Sequence, residues 1–496
     1  MKIFNAFQLR EMDLFTIDHE PVKSIDLMER AAAACCSWIC THYSAGGQIT
    51  VFCGSGNNGG DGLAIARQLS GKEYQVQVYL IPQGDTLSPD CRQNLDLLPK
   101  PVVLHRLSKT GNFPDIRMDM LVIDALLGTG ISRPAEGNTA EAIQFINNSR
   151  SPVVSIDLPS GMHPDLPMKG PVVQATHTLS FTSYKLSMLL PGIGESAGEI
   201  HIIPIGIAPE TILQTPTLLQ MTDRDMLNSI YRKRKPFSNK GDFGHGLIIA
   251  GSAGKMGAAV LATRGCLRAG AGLVTCLVPQ EGRDILQVAA PEAMCLIRDD
   301  QVADNPDLSK YRALGIGPGL GTSPETDQLL DGILARYGHP MVLDADALNL
   351  MALHPGLMEK IPGGSLLTPH PGEFGRLFGH TSDAYSRLDL LRQKSRELGV
   401  IILLKGRFTQ IALPDGTCFF NSTGNPGMAT GGSGDCLTGI LTGLLCQGYS
   451  PADTAILGTW LHGLAGDIAA TRFSQEAMLA TDLLENLAGA FKSLEN

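Results

Sequence analysis

Cysteine pairs with metal-clip or redox spacing are missing from this chain. Eleven cysteines are spread over 496 residues without one CxxC. An odd number also leaves no fully paired disulfide framework. Cys36, Cys53 and Cys276 sit inside apolar runs, where a thiol behaves as a small hydrophobe. A reduced, cytoplasmic setting is the expectation, without a zinc clip. No stretch approaches about 20 uninterrupted apolar residues, so a membrane span is not expected. The opening MKIFNAFQLREMD carries charge too early for a secretory signal. Basic excess is missing too: the net charge is −10, which argues against nucleic-acid binding. With 43% hydrophobic and 18% charged residues the chain reads as soluble and globular. Its length exceeds one ordinary core, so two large domains are expected.

Glycine is what the chain has in quantity, 56 residues in all, and it collects after apolar runs. The stretch 421–445, NSTGNPGMATGGSGDCLTGILTGLL, is a Gly/Ser/Thr-rich turn running into a helix-like segment. Small residues let backbone approach a ligand, and free N–H groups at a helix start attract anions. Asp435 at that mouth suggests a base or a cation ligand. GSGD alone is equally a glycine-rich helix entry with a capping Asp.

In chain order, 25–40 reads as an apolar helix. QITVFCG (48–54) reads as a strand, followed by the glycine loop GSGNNGGDG and the helix LAIARQLSG. Strand, glycine loop and helix form the phosphate-binding arrangement of doubly wound folds. The spacing is not that of the usual dinucleotide fingerprint. Asn57 and Asn58 could offer carbonyls and amides to a ligand, or simply tolerate a tight turn. Further strands are 74–81, 120–124 ending in Asp124, 152–157 ending in Asp157, 176–186 and 199–207, with a helix after Ser88. Strand ends in open α/β sheets converge on ligands. Asn58, Asp124 and Ser160 together offer hard oxygens that suit an alkali or alkaline-earth cation. Singly, each Asp could be a helix cap. Lys185 is either buried near the ligand or an edge-strand lysine.

Residues 208–225 break the pattern and are read as the linker, so the domains are expected at 1–215 and 222–496. Arg232, Lys233, Arg234 and Lys235 form a basic run, either solvated or attracting an anion. The second half begins again with strand 246–250, a glycine turn and a small-residue helix. It continues with strand 272–278, the strand and loop ALGIGPGLG, a strand ending at Asp344 and Asp346, and a short strand leading to His370. A strand pair spans 399–421, and 451–472 reads as the terminal helix. His370 lies between two prolines and could be a rigid site residue or a turn residue. The fold class expected is α/β in two domains: a Rossmann-like three-layer sandwich and a second α/β domain.

The motifs GSGNNGGDG, DALLGTGISRP and SIDLPSG resemble the epimerase domain of the NAD(P)H-hydrate repair enzymes. KGDFGHGLIIAGS, GIGPGLG, VLDADALN, LTPHPGEF, LLKGRFT and NPGMATGGSGD resemble their dehydratase domain, which is similar to ribokinase-fold small-molecule kinases. The likeness runs from about Asn5 to about Ala488. Cys436 stands after GSGD where an aliphatic residue is commoner, a change expected to touch packing only.

The resemblance implies a bifunctional enzyme that interconverts the R and S hydrates of NADH and NADPH and dehydrates the S form with ADP. It implies K⁺ held by Asn58, Asp124 and Ser160. The hydrate would lie against Asn57, Asn58, Gly59, Gly60, Asp61, Gly128, Thr129, Gly130, Ile131, Ser132, Arg133, Pro134 and Asp157, with Asp157 the candidate acid/base and Lys185 a second. In the other half, Gly257, Gly319, Leu320, His370 and Asp435 would line the hydrate. Lys405, Gly406, Arg407, Phe408, Thr409 and Gly434 would line the nucleotide, with Mg²⁺ on its phosphates. Asp435 would take the proton of the substrate hydroxyl. A homo-oligomer is expected, with no nucleic-acid or membrane partner. A vitamin or sugar kinase fused to a nucleotide-binding module remains the alternative reading.

Overall fold

The computed structural model describes residues 1–20, 22–82, 86–107, 113, 116–298 and 307–495. The chain divides into two compact units, Lys2–Thr217 and Leu218–Asn496, with Met1 grouped with the latter.

The first unit is a seven-stranded parallel sheet: β1 (Gln48–Cys53), β2 (Gln75–Leu80), β3 (Val103–Arg106), β4 (Leu121–Ala125), β5 (Val153–Ile156), β6 (His177–Phe181) and β7 (Glu199–Ile203). Their order is β3-β2-β1-β4-β5-β6-β7, so the direction of winding reverses between β1 and β4. β1 and β4 are buried along almost their whole length. They therefore read as continuous apolar runs, as strands covered on both faces do. Helices cover both faces. Ser24–His42 and Asn57–Ser70 pack on one side through Ala31, Cys35, Leu63 and Ile65, and Gly137–Asn148 packs on the other through Ile143 and Ile146. Local chemistry sets the helix ends: Asn5 caps Ala6–His19 in a reciprocal box with Gln8, and Ser88 caps Pro89–Asp96.

Asn57 through Gly62 are not loop, as the strand–loop–helix reading had them. They form the first turns of the helix, and the loop is only Gly54, Ser55 and Gly56. The glycines are needed for packing. A Cβ on Gly59 would lie 2.0 Å from the Gly54 carbonyl oxygen, and one on Gly62 would lie 2.6 Å from Ala125 Cβ. The helix can sit this close to β1 and β4 only without side chains there. β3 escaped the sequence reading because Val103 and Leu104 stand exposed on an edge strand, with no apolar-in alternation to betray it.

The second unit holds a ten-stranded mixed sheet: β8 (Leu219–Met221), β9 (His245–Ile249), β10 (Leu273–Val278), β11 (Met294–Ile297), β12 (Ala313–Ile316), β13 (Val342–Leu343), β14 (Leu366–Leu367), β15 (Ile401–Leu404), β16 (Gln410–Ala412) and β17 (Cys418–Phe420). The order is β11-β10-β9-β12-β13-β14-β15-β16-β17-β8. β15, β16 and β17 pair antiparallel and the rest parallel. The region 399–421 thus carries three strands rather than two. The stretch read as linker holds the helix Pro209–Gln214 and β8, which pairs with β17. Pro451–Phe473 is not terminal, since Ala480–Ser493 follows and buries Leu487 and Ala490 in the same core. The helices Met256–Arg268 and Ser433–Cys446 touch backbone to backbone, where a Cβ on Gly439 would lie 2.1 Å from the Ala262 carbonyl oxygen.

All eleven cysteines are free and nine of them are buried. Among the described residues no helix is long and apolar enough to cross a membrane. Gly59→Ala is expected to destabilise the first unit by about 3 kcal/mol or more, because the new methyl meets rigid backbone. Urea unfolding read through Trp38 in a Trp460→Phe background measures it.

Candidate functional sites

A cleft of about 1170 Å³ opens beyond the carboxyl ends of β1 and β4, where the strand order reverses. The helix Asn57–Ser70 contributes Asn57, Asn58 and Asp61 to its lining, the loop after β4 contributes Gly128, Thr129, Gly130, Ile131, Ser132, Arg133 and Pro134, and the end of β5 contributes Asp157. Gly59 and Gly60 are not among the lining residues. Their Cα atoms press on the Gly54 backbone and on Met28 instead. The helix Ala6–His19 adds Arg10 and Asp13 to the cleft wall. Asp13 escaped the sequence reading because it lies in an unremarkable helix with no glycine or strand end beside it.

Asp124 and Ser160 hydrogen-bond directly, and the Leu127 peptide links Asn58 to Ser160: its carbonyl accepts from Asn58 and its amide donates to the Ser160 hydroxyl. Asp124 is fully buried. It accepts hydrogen bonds from the Ser160 amide (2.9 Å), the Ser160 hydroxyl (2.5 Å) and the Ser155 hydroxyl (2.8 Å). Burial raises its carboxyl and those hydrogen bonds oppose the rise. Asn58 Nδ2 donates to the Leu127 carbonyl at 2.9 Å, while the buried Asn58 Oδ1 has no hydrogen-bond partner. Gly128 lies against that side chain, with room for no more than a light contact there. An amide oxygen without a partner, a carboxylate and a hydroxyl, gathered around the Leu127 peptide, are all-oxygen donors of the kind that fit a hard cation.

Asp157 adopts φ 65°, a strained position for a non-glycine residue. Lys185, fully buried, donates to Asp157 Oδ1 at 2.5 Å and to the Ser180 hydroxyl at 2.8 Å. It is therefore a buried partner of the cleft carboxylate and not an edge-strand lysine. Burial, and then the charge of Asp157, lifts the Asp13 carboxyl to about 6, against the pull of Lys185. Asp61 is pushed well above the usual range by burial, with Asp157 and Asp13 adding to it. One cleft thus holds a lysine-paired carboxylate and two carboxyls biased toward their neutral form, the pattern by which acids and bases are told apart.

In the second unit, Gly432 (φ 96°) turns the chain into the helix Ser433–Cys446 and sets Asp435 in its first turn. Lys405, at the end of β15, donates to Asp344 Oδ1 at 2.8 Å and lies 3.9 Å from Glu373. Thr438 donates to Asp344 Oδ2 at 2.8 Å. Gly434 faces this pair: a Cβ there would be 3.4 Å from Lys405 Nζ. Burial first, then Asp344, raises the Asp435 carboxyl to about 6, while Lys405 lowers it. His370 caps the helix Pro371–Phe378 with Nδ1 and reaches Glu373 with Nε2 at 3.5 Å. His370, Glu373, Lys405, Asp344 and Asp435 therefore form one charge network.

Across the mouth, Lys255 lies 3.5 Å from Asp346, which accepts from the Gly321 amide at 2.8 Å, and Ser252 donates to the Gly319 carbonyl. Gly257 opens the helix Met256–Arg268 onto free space. Leu320 as a whole is 1% exposed. Gly406 to Thr409 form the turn after β15. The Thr409 hydroxyl closes on Gly406, and Arg407 stacks over Phe408 and donates to the Gly424 carbonyl. Asp344, Asp346, Glu373 and Asp435 outnumber Lys255 and Lys405, so a polyphosphate needs added positive charge here. Carboxylate oxygens suit Mg²⁺ for that purpose.

Residues 246–488 match the family described as NAD(P)H-hydrate dehydratase, and residues 24–187 match YjeF-related protein N-terminus. The bifunctional NAD(P)H-hydrate repair enzyme Nnr of Moorella thermoacetica is 38% identical over 524 residues, covering all of this chain and 97% of that protein. The Escherichia coli protein of the same name is 33% identical, over 93% of this chain and 88% of its own length. A crystal structure of the ADP/ATP-dependent NAD(P)H-hydrate dehydratase from Bacillus subtilis, co-crystallised with ATP/Mg²⁺, is 32% identical with TM-score 0.51, covering 55% of this chain and 98% of that one. A ribokinase-like superfamily protein from Enterococcus faecalis matches at 30% identity and TM-score 0.51, over 56% of this chain and 98% of that one.

The folded Asp435 carboxyl near 6 stands above its ordinary 3.8. Between those values the unfolded chain gives up its proton first, so stability falls as pH rises from about 4 to about 6. Asp435→Asn is expected to stabilise the second unit at pH 7.5 by something on the order of 2 kcal/mol, and the gain should vanish below about pH 4. Thermal melts of both proteins at the two pH values check this.

Proposed function

The chain belongs to the bifunctional NAD(P)H-hydrate repair enzymes, and from that membership we propose how its residues divide the work. The enzyme epimerises the hydrates of NADH and NADPH and dehydrates them in an ADP- or ATP-dependent reaction. The observation carrying the residue-level reading is that each unit places an electrostatically distinct carboxylate at the carboxyl ends of its strands: Asp157 on Lys185, and Asp435 beside Asp344 and Lys405.

In dehydration the substrate carries a hydroxyl on C6 of the reduced nicotinamide ring, and hydroxide leaves poorly. Asp435 takes the hydroxyl proton as the oxygen attacks the terminal phosphorus of ADP, whose P–O bond to AMP breaks. The ring nitrogen lone pair then expels phosphate from C6, and loss of a neighbouring ring proton restores the double bond. The amides of Gly434 and Asp435, in the first turn of the helix, face the developing charge on the phosphate. Lys405 holds Asp344 and adds positive charge beside Gly434. The Gly406–Thr409 turn lines the nucleotide; Gly257, the Gly319–Leu320 backbone and His370 line the hydrate. Mg²⁺ held near these carboxylates would neutralise the phosphates.

In epimerisation the C6–O bond must break and re-form on the other face, or the ring must open and close. Asp157, hydrogen-bonded to Lys185, is the base in this scheme. Asp13 or Asp61, biased neutral, protonates the departing oxygen. Asn58, Asp124 and Ser160 would hold K⁺, which supplies positive charge beside the reacting ring. Residues 128–134 and Asn57 enclose the nucleotide of the substrate.

Eleven unpaired thiols support a reducing, cytoplasmic location. A homo-oligomer is supported by the edge strand β11 and the exposed Ile285, Val288 and Met294 near it. Light scattering behind size exclusion tests that state.

A mixture of R and S NADH hydrate, followed at 340 nm with ADP, K⁺ and Mg²⁺, tests the division of labour. Wild type is expected to recover all the NADH. Asp157→Asn is expected to stop at the S fraction, and Asp435→Asn to recover none, while chromatography still shows it interconverting the two epimers. Stable phosphorylated product in place of NADH would restore the kinase reading. The dehydration rate is expected to rise with pH through about 6 as Asp435 loses its proton.

A further inference from the structure

A second constellation of ligating side chains lies at the amino ends of β6 and β7, at the far end of the strands from the cleft. His177 opens β6 and Glu199 opens β7, and the two are register partners. His201 follows Glu199 by two, so it shares that face of the sheet. His177 Nδ1 lies 3.1 Å from His201 Nε2 and 3.5 Å from Glu199 Oε2, and His201 Nε2 lies 3.9 Å from Glu199 Oε1. Two donors each about 2.1 Å from a tetrahedral ion stand about 3.4 Å apart, and these separations bracket that figure. Between themselves the two imidazoles can share one proton. A cation would engage both nitrogens and the carboxylate at once.

The surroundings are built rather than incidental. Trp38 packs edge-on to His177 at 5.1 Å, tilts against His201 at 4.7 Å and stacks on His42 at 3.9 Å. His42 donates from Nδ1 to the Trp38 carbonyl at 2.8 Å, which leaves its Nε2 with a lone pair, 6.2 Å ring to ring from His201. Both imidazoles of the sheet are about four-fifths buried, with side-chain exposure of 21%, whereas Glu199 is 70% exposed. An ion would enter from solvent past Glu199 and keep a water ligand.

We propose that His177, His201 and Glu199 form a binding site for a divalent transition metal of the zinc class. Two imidazoles and one carboxylate suit Zn²⁺, Ni²⁺ or Cu²⁺ and differ in kind from the all-oxygen set around Asp124. The bound ion would tie the outermost strand β7 to β6. The proposal stands apart from the roles assigned in the cleft.

The test uses the full chain carrying Trp460→Phe, so that emission reports Trp38 alone. Ni²⁺ is expected to quench that emission with saturation at one equivalent, Zn²⁺ to compete with it, and Zn²⁺ to raise the melting temperature. His201→Asn should abolish the quenching. Glu199→Gln, on an exposed side chain, should melt like wild type without metal and bind Zn²⁺ about tenfold or more weaker. No saturable quenching at stoichiometric metal would overturn the proposal, as would quenching undiminished in both variants.

Discussion

Each unit is built around one carboxylate that water does not reach. Asp124 and Asp344 are 0% and 1% exposed, each at the carboxyl end of a central strand. A buried charge costs several kcal/mol unless its oxygens are satisfied. Around Asp124 the cost is offset by hydroxyls and amides, from Ser155, Ser160 and Leu126. Around Asp344 it is offset by an ammonium and a hydroxyl, from Lys405 and Thr438. The difference in partners sets the difference in chemistry. Neutral donors leave the first site with net negative charge, ready for a cation. A lysine makes the second site a place where phosphate can approach a carboxylate.

The carboxylates proposed to react stand one step out from these anchors. Asp435 is raised by burial first and by the charge of Asp344 second, and Lys405 keeps the rise moderate. Asp157 is held by Lys185 from inside the protein, so its free edge faces the cleft. In both units, then, an ammonium–carboxylate pair acts on a further carboxyl: Asp157 and Lys185 on Asp13, Asp344 and Lys405 on Asp435.

Much of this was legible in the sequence, and the failures have physical causes. Parallel strands buried on both faces read as apolar runs, so β1, β4, β9 and β10 stood out, and glycine after them marked the switch points. Edge strand β3 carries too little pattern to be read, whereas β13 and β14 read as strands and are only two residues long each. The NNGGDG stretch looked like loop because glycine disfavours helices. What overrides the propensity is close packing, since a helix lying on Gly54 and Ala125 tolerates nothing larger. Lys185 was ambiguous because burial is a tertiary property, and β6 sits between β5 and β7 rather than at the edge. Asp13 was invisible for the same reason: only the fold brings the helix Ala6–His19 to the cleft.

The free thiols carry a consequence of their own. Cys35, Cys53 and Cys266 are enclosed completely, and burial pushes their thiols well above the ordinary range; Cys436, next to Asp435, is pushed up as well. Oxidants attack the thiolate, and these side chains offer almost none. A cell whose peroxide level climbs loses many cysteine enzymes to sulfenylation in minutes, but this one keeps its core thiols reduced by geometry. Peroxide would meet the partly exposed Cys40 and Cys295 before any of the enclosed thiols.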